Sequence, residues 1–211
     1  MAKLQSSLLL TVANYYADKL AHYGATPSGV DWNGVDGQFL RFNQLAKVLS
    51  PDIEKFSVSD LGCGYGALYD FLASDYLNFE YEGVDVAASM VDTARRLHAV
   101  NPKAKFHVGS EPTAVKDFCI ASGIFNVKLT IPFDQWTEYI INTLTILDAY
   151  STKGFSFNCL SKYSDIDRMR DDLYYADPLM LFDICKKKFS KNVSLLHDYD
   201  LYEFTILVKK P

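Results

Sequence analysis

Nine consecutive residues constrain this chain more than any others: Val58-Ser-Asp-Leu-Gly-Cys-Gly-Tyr-Gly66. A short apolar run ends in a carboxylate and gives way to glycines at every second position. That is the pattern of a strand turning sharply into a helix, with bare backbone left open to a bound nucleotide. A second carboxylate, Asp85, stands nineteen residues beyond Gly66, at the end of the next strand-like run, 79–86. At that spacing an acid can hold the two hydroxyls of a ribose. Gly62, Cys63, Gly64 and Gly66 of the turn, together with Asp85 and the adjoining Val86, are therefore the primary candidates for cofactor contact.

Charge narrows the kind of nucleotide. A dinucleotide places its pyrophosphate over the helix N-terminus, where the dipole favours negative charge. Asp60, immediately before the glycines, would repel it. A cofactor that carries positive charge there, such as the amino group and sulfonium of S-adenosylmethionine, is attracted instead. Gly62, Gly64 and Ala67 also satisfy G-x-G-x-x-A, so the glycines by themselves leave an NAD(P)-dependent oxidoreductase as an alternative.

The chain has 211 residues, 49% of them apolar, enough for one sizeable core. Its net charge of −5 provides no general basic field, so no nucleic-acid partner is expected. The four cysteines lie far apart without a C-x-x-C pair, which predicts neither a disulfide framework nor a metal site. With no leader-like N-terminus and no apolar run of membrane-spanning length, the expectation is a cytoplasmic protein without a membrane partner.

Helical spacing of Leu8, Leu9, Val12, Ala13, Tyr16 and Leu20 predicts a first helix that stops at Gly24 and Pro27. A second is expected over 38–49. From residue 56 the pattern alternates, with strands predicted at 56–60, 79–86, 104–109, 117–122 and 154–160. Helices are predicted at 67–73, 87–100, 136–150, around 166–171 and at 178–189. The tail holds two more strand-like runs, 193–196 and 201–209, too close in sequence for a parallel crossover and hence an antiparallel hairpin. The fold class expected is α/β: a Rossmann-like, doubly wound sheet of seven strands, mostly parallel, closed by a C-terminal antiparallel hairpin.

Taken together, the glycine loop, the two acids and this element order resemble the class I S-adenosylmethionine-dependent methyltransferases over essentially the whole chain. The resemblance implies a helical N-terminal lid over 1–50 and a methyltransferase domain over 51–211, with a helical insert at about 161–192. It implies S-adenosylmethionine as cofactor and S-adenosylhomocysteine as product. In similar enzymes an arginine near the position of Arg41 pairs with the cofactor carboxylate, a role suited to a planar guanidinium. A polar residue at the position of Ser110 or Glu111 holds the adenine amino group. The end of the fourth strand, with Ser122, Phe125 and Asn126, lies against the methionine moiety and the acceptor. Bacterial small-molecule methyltransferases are the members most resembled.

Methyl transfer is an in-line displacement, so the site must align its reactants and keep water out. Because positive charge on sulfur fades during the reaction, aromatic walls suit it better than acids, and Tyr15, Tyr16, Trp32 and Phe125 are candidates. Tyr174 and Tyr175, in the variable insert, are candidates for acceptor contact beside Trp32 and Asn126. If the acceptor is a hydroxyl, a general base is useful, and His22 and His197 are the histidines considered. The function expected is transfer of a methyl group to oxygen or nitrogen of a small molecule. A protein methyltransferase is the other alternative.

Overall fold

The computed structural model describes residues 2–50 and 53–211. A seven-stranded sheet runs in the order β3-β2-β1-β4-β5-β7-β6. Its strands are β1 Phe56–Leu61, β2 Phe79–Asp85, β3 Ala104–Val108, β4 Lys116–Ala121, β5 Ser151–Leu160, β6 Asn192–Leu196 and β7 Glu203–Lys209. Pairings β3-β2, β2-β1, β1-β4 and β4-β5 are parallel, while β7 runs antiparallel to both β5 and β6. The predicted parallel sheet with an antiparallel C-terminal pair is thus the observed one.

Period-two alternation of apolar side chains dresses both faces. In β4, Phe118 and Ile120 enter one core cluster while Cys119 and Ala121 enter the other. Over the first face lie α2 Val35–Ala46, α3 Ala67–Asp75 and α4 Ala88–Leu97; over the second lie α5 Phe133–Ala149 and α6 Pro178–Lys188. Burial on both faces is why the end of β4, Phe118 to Ala121, reads as a continuous apolar run. Asp177 caps α6 by accepting from the Leu179 and Met180 N–H groups (2.9 and 3.4 Å), with Pro178 at the first helical position.

The first fifty residues divide between two layers. Helix α1, Ala2–Tyr23, reaches over the carboxyl ends of the strands and touches α4, while α2 is packed into the sheet layer against α3, β5 and β7. The expected helix around 166–171 is instead a single 3-10 turn, Ile166–Arg168, and a further turn at 171–172. Bridges from Val127 to Leu173 and from Ser161 to Ala176 anchor the chain that follows. No helix among the described residues is long and apolar enough to cross a membrane.

Candidate active site

A cleft opens at the carboxyl ends of β1, β2 and β4, where the chain crosses from one half of the sheet to the other. Open α/β sheets place their ligands at this topological switch point. Its floor is Asp60 to Gly64, and Asp85 and Val86 close one side. Leu9, Val12 and Tyr16 of α1 cover it. The glycine turn is stitched to β2 by the N–H groups of Gly62 and Cys63, which donate to the Val84 carbonyl (2.7 and 3.1 Å). Gly62 has φ +79°, and a Cβ there would stand 2.1 Å from Ile124 Cγ2, so no larger residue fits this turn.

Two acids set the cleft's electrostatics. Asp60 is 2% exposed; its Oδ2 accepts from the Tyr81 hydroxyl (2.5 Å) and its Oδ1 has no partner among the described residues. Burial pushes its carboxyl up to about 7, against the Tyr81 hydrogen bond and with help from the Asp85 charge. Such a group is unsuited to phosphate and is stabilised by a cation. Asp85 accepts from the Ala87 N–H (2.8 Å) and the Gly64 N–H (2.9 Å). Burial still leaves its carboxyl above the usual range, and each oxygen retains a lone pair for a hydroxyl donor. The buried Oγ of Ser122, on the opposite wall, is likewise without a partner. Orphaned polar atoms at Asp60 and Ser122, an acid at ribose spacing and a glycine turn fit the cationic adenosyl cofactor expected from the sequence.

A second cavity of about 310 Å³ adjoins the cleft. The two share Tyr16, Val30, Trp32 and Gly123. Trp32 packs closely on Gly123, where an added Cβ would come within 2.3 Å of its ring. Arg41 stacks on Trp32 with 4.0 Å from guanidinium carbon to ring centroid. That guanidinium grips Glu203 through Nε (2.9 and 3.0 Å) and Nη2 (2.6 Å). Asn158 Nδ2 donates to Glu203 (2.6 Å), and Asn158 Oδ1 accepts from the Gly123 N–H (2.8 Å). The result is a closed ring, Trp32 to Arg41 to Glu203 to Asn158 to Gly123 and back to Trp32, which fixes the wall between the cavities. Tyr16, on the same wall, keeps its proton because burial, followed by the charge of Asp31, pushes its hydroxyl up.

Of the residues expected at the site, Tyr16, Asp60, Gly62, Cys63, Gly64, Asp85, Val86, Ser110 and Ser122 line the first cleft. Trp32 lines both cavities; Arg41, Asn126 and Tyr175 line the second. Seven expected residues lie elsewhere: Tyr15, whose hydroxyl donates to Asp31, Glu111, which is exposed, and Gly66, Phe125, Tyr174, His22 and His197. Gly66, at φ +92°, is the N-cap of α3 and rests under His98. Phe125 is wholly buried in the core, edge-on to Phe157, because the chain has already turned inward after Gly123. Tyr174 is also buried, stacked on Phe133 and bonded to Thr137. His22 is exposed at the end of α1 against Tyr23. His197 is exposed after β6, between Tyr163 and Phe204. Neither histidine lines either of these two cavities.

Glu203, Asn158 and Gly123 were not singled out by sequence. The one available signal was an acid opening the otherwise apolar run of β7. Cys63 borders the cleft, but burial holds its thiol well above the ordinary value, so it is no nucleophile. Among the described residues no group of three or more His, Cys, Asp or Glu is placed to hold a metal ion.

Comparison with known proteins places the same segment at the centre. Residues 58–130 match a family model described as a methyltransferase domain. A Mycobacterium tuberculosis protein named as a methyltransferase is 51% identical over 157 residues, spanning 74% of this chain and 95% of its own length. Among solved structures, magnesium protoporphyrin IX methyltransferase from Synechocystis, bound to S-adenosylhomocysteine, aligns with a TM-score of 0.64 at 14% identity, covering 95% of this chain and 99% of that one. The DhpI complex with S-adenosylhomocysteine aligns with a TM-score of 0.64 at 14% identity, covering 97% and 98%.

Proposed function

Because the chain belongs to the class I S-adenosylmethionine-dependent methyltransferases, we propose that it methylates an oxygen or nitrogen atom of a small molecule. The observation that carries this reading is the pair of cavities meeting at Tyr16, Trp32 and Gly123. One is walled by the nucleotide-type turn, and the other has the volume of a small acceptor. S-adenosylmethionine supplies an electrophilic methyl group on a sulfonium.

The roles assigned to this chain's residues follow from their placement. Asp85 holds the ribose hydroxyls while its bonds to Gly64 and Ala87 keep it aimed. Asp60 and Ser122 face the charged end of the cofactor with their free oxygens. Val86 and Ser110 border the adenine end. Leu9, Val12 and Tyr16 shield the cleft from water, which strengthens each of these polar contacts. On the acceptor side, Trp32, Asn126 and Tyr175 orient the incoming molecule. Arg41, already committed to Glu203, holds the Trp32 wall rather than standing free for the cofactor's carboxylate. None of the residues shared by the two cavities is an ionised base, so alignment, more than proton abstraction, carries the rate. No catalytic role is assigned to His22 or His197.

Incubation with methyl-labelled S-adenosylmethionine and fractionated cell extract tests the proposal. Label in low-molecular-mass fractions is expected. Label confined to protein would replace the proposal with a protein methyltransferase, and selective binding of NAD(P) would return the oxidoreductase reading.

A further inference from the structure

Resting on that reading, the second cavity carries information about the acceptor's own chemistry. The cavity has direction. Tyr16, Trp32 and Gly123 mark the end that opens toward the first cleft, while Arg168, Arg170 and Tyr202 belong to the second cavity alone and mark the other end.

Its charges are unequally committed. Asp31 accepts from the Tyr15 hydroxyl and from Lys19 Nζ (2.6 Å). Glu203, 1% exposed, is bound by Arg41 and Asn158. Both acids lining the cavity are therefore neutralised from within the protein and hold little attraction for a cationic acceptor. Of the arginines of the far end, Arg168 is the less occupied. Arg168 has its ion-pair partner, Asp165, at 4.0 Å and otherwise lies over the Tyr202 ring at 5.9 Å. Arg170 is held bidentately by Asp172, Nε donating to Oδ1 (3.0 Å) and Nη2 to Oδ2 (2.5 Å), in a pair that is itself open to solvent. Asn126 is buried, with Oδ1 accepting from the Leu160 N–H (2.9 Å), and its Nδ2 group has no acceptor among the described residues. One loosely held guanidinium, a second paired with a solvent-exposed acid, and an unused amide donor line this cavity.

We propose that the acceptor enters this cavity by an anionic group, a carboxylate or a phosphate, held by Arg168 and Arg170, with its reacting atom turned toward Tyr16 and Trp32. A planar guanidinium binds either anion through paired hydrogen bonds, and the anion recognised is a handle at the far end.

Calorimetry on wild-type protein loaded with S-adenosylhomocysteine tests this, with benzoate, phenyl phosphate, benzyl alcohol and benzylamine as probes. Benzoate or phenyl phosphate is expected to bind, and which of the two binds tighter identifies the handle. Arg168→Gln and Arg170→Gln should each weaken that binding by about tenfold, and Arg168→Lys should retain most of it. Affinity for S-adenosylhomocysteine should stay unchanged, since neither arginine borders the first cleft. Both side chains are exposed, so the variants should unfold at the wild-type temperature. Equal or tighter binding of the alcohol or amine, failure of both anions to bind at millimolar concentration, or indifference to both glutamine variants overturns the proposal. If S-adenosylhomocysteine itself does not bind, the methyltransferase reading fails instead.

Discussion

The two cavities share a wall but are assembled from different kinds of contact. In the first cleft the decisive bonds are nearly local: Gly64 reaches Asp85 and Tyr81 reaches Asp60, each across 21 residues of one strand-helix-strand unit. In the second, Arg41 reaches Glu203 across 162 residues and Asn158 reaches it across 45. A site built inside one supersecondary unit is fixed by that unit's geometry. A site built between α2, β5 and β7 exists only once the whole sheet has closed, and its specificity can change without touching the cofactor.

This difference predicts which substitutions separate the cavities. The largest effect is expected from Glu203→Gln, which leaves Arg41, partly buried with its side chain 12% exposed, without its counter-charge. Removing one partner of a buried pair costs about 3–5 kcal/mol, read as a lowered midpoint in urea. The surviving folded protein should bind S-adenosylhomocysteine nearly as wild type does. A loss of cofactor binding comparable to the loss of stability would mean that the cavities are not separable.

Asp85→Ala acts on the other side. It removes the hydroxyl acceptor and also releases the Gly64 and Ala87 N–H groups. An expected loss of about a hundredfold in affinity for S-adenosylmethionine corresponds to ~3 kcal/mol, measurable by calorimetry. Unaltered affinity would remove the ribose assignment.

Asp60 should give a smaller, pH-dependent effect. Its folded value of about 7 lies above the 3.8 of an unperturbed aspartate, so the empty protein binds a proton that the unfolded chain does not between those values. The sign follows from linkage: this group's contribution to stability is complete below pH 3.8 and is lost as pH rises through about 7. A bound cation reverses the preference, so affinity for S-adenosylmethionine should climb from pH 6 to a plateau above about 7. Asp60→Asn should flatten that profile and weaken binding by about tenfold. A wild-type affinity flat over the same range would contradict the assignment.

Smallest of all are His22→Ala and His197→Ala, for which turnover should remain within about twofold of wild type and keep its pH profile. A vanished titrating limb in either variant would restore a base that the geometry does not place at the junction.

The contrast between the cavities also explains what was legible before the structure. Glycine spacing, Asp60 and Asp85 could be read because strand, turn and helix impose their own residue types, and the parallel sheet followed from alternating runs. Phe125 and Tyr174 could not be distinguished from wall residues, since an aromatic on a cavity and one in the core have the same local pattern. The segment around 166–171 has a helix-like composition, yet it has no apolar stripe to bury, and the chain just after it is tied by Leu173 to Val127 and by Ala176 to Ser161. Glu203 carried no partner in its neighbourhood because its partner is on the second helix. What sequence patterns encode is local; the second cavity of this molecule is not.

The most direct test of the central claim, that the crossover cleft holds a cationic adenosyl cofactor through its two acids, is a calorimetric titration of S-adenosylmethionine and NAD⁺ into wild-type and Asp85→Ala protein. One-to-one binding of S-adenosylmethionine alone, severely weakened in the variant, is the result predicted. Binding of NAD⁺ in preference, or S-adenosylmethionine binding indifferent to Asp85, would contradict it.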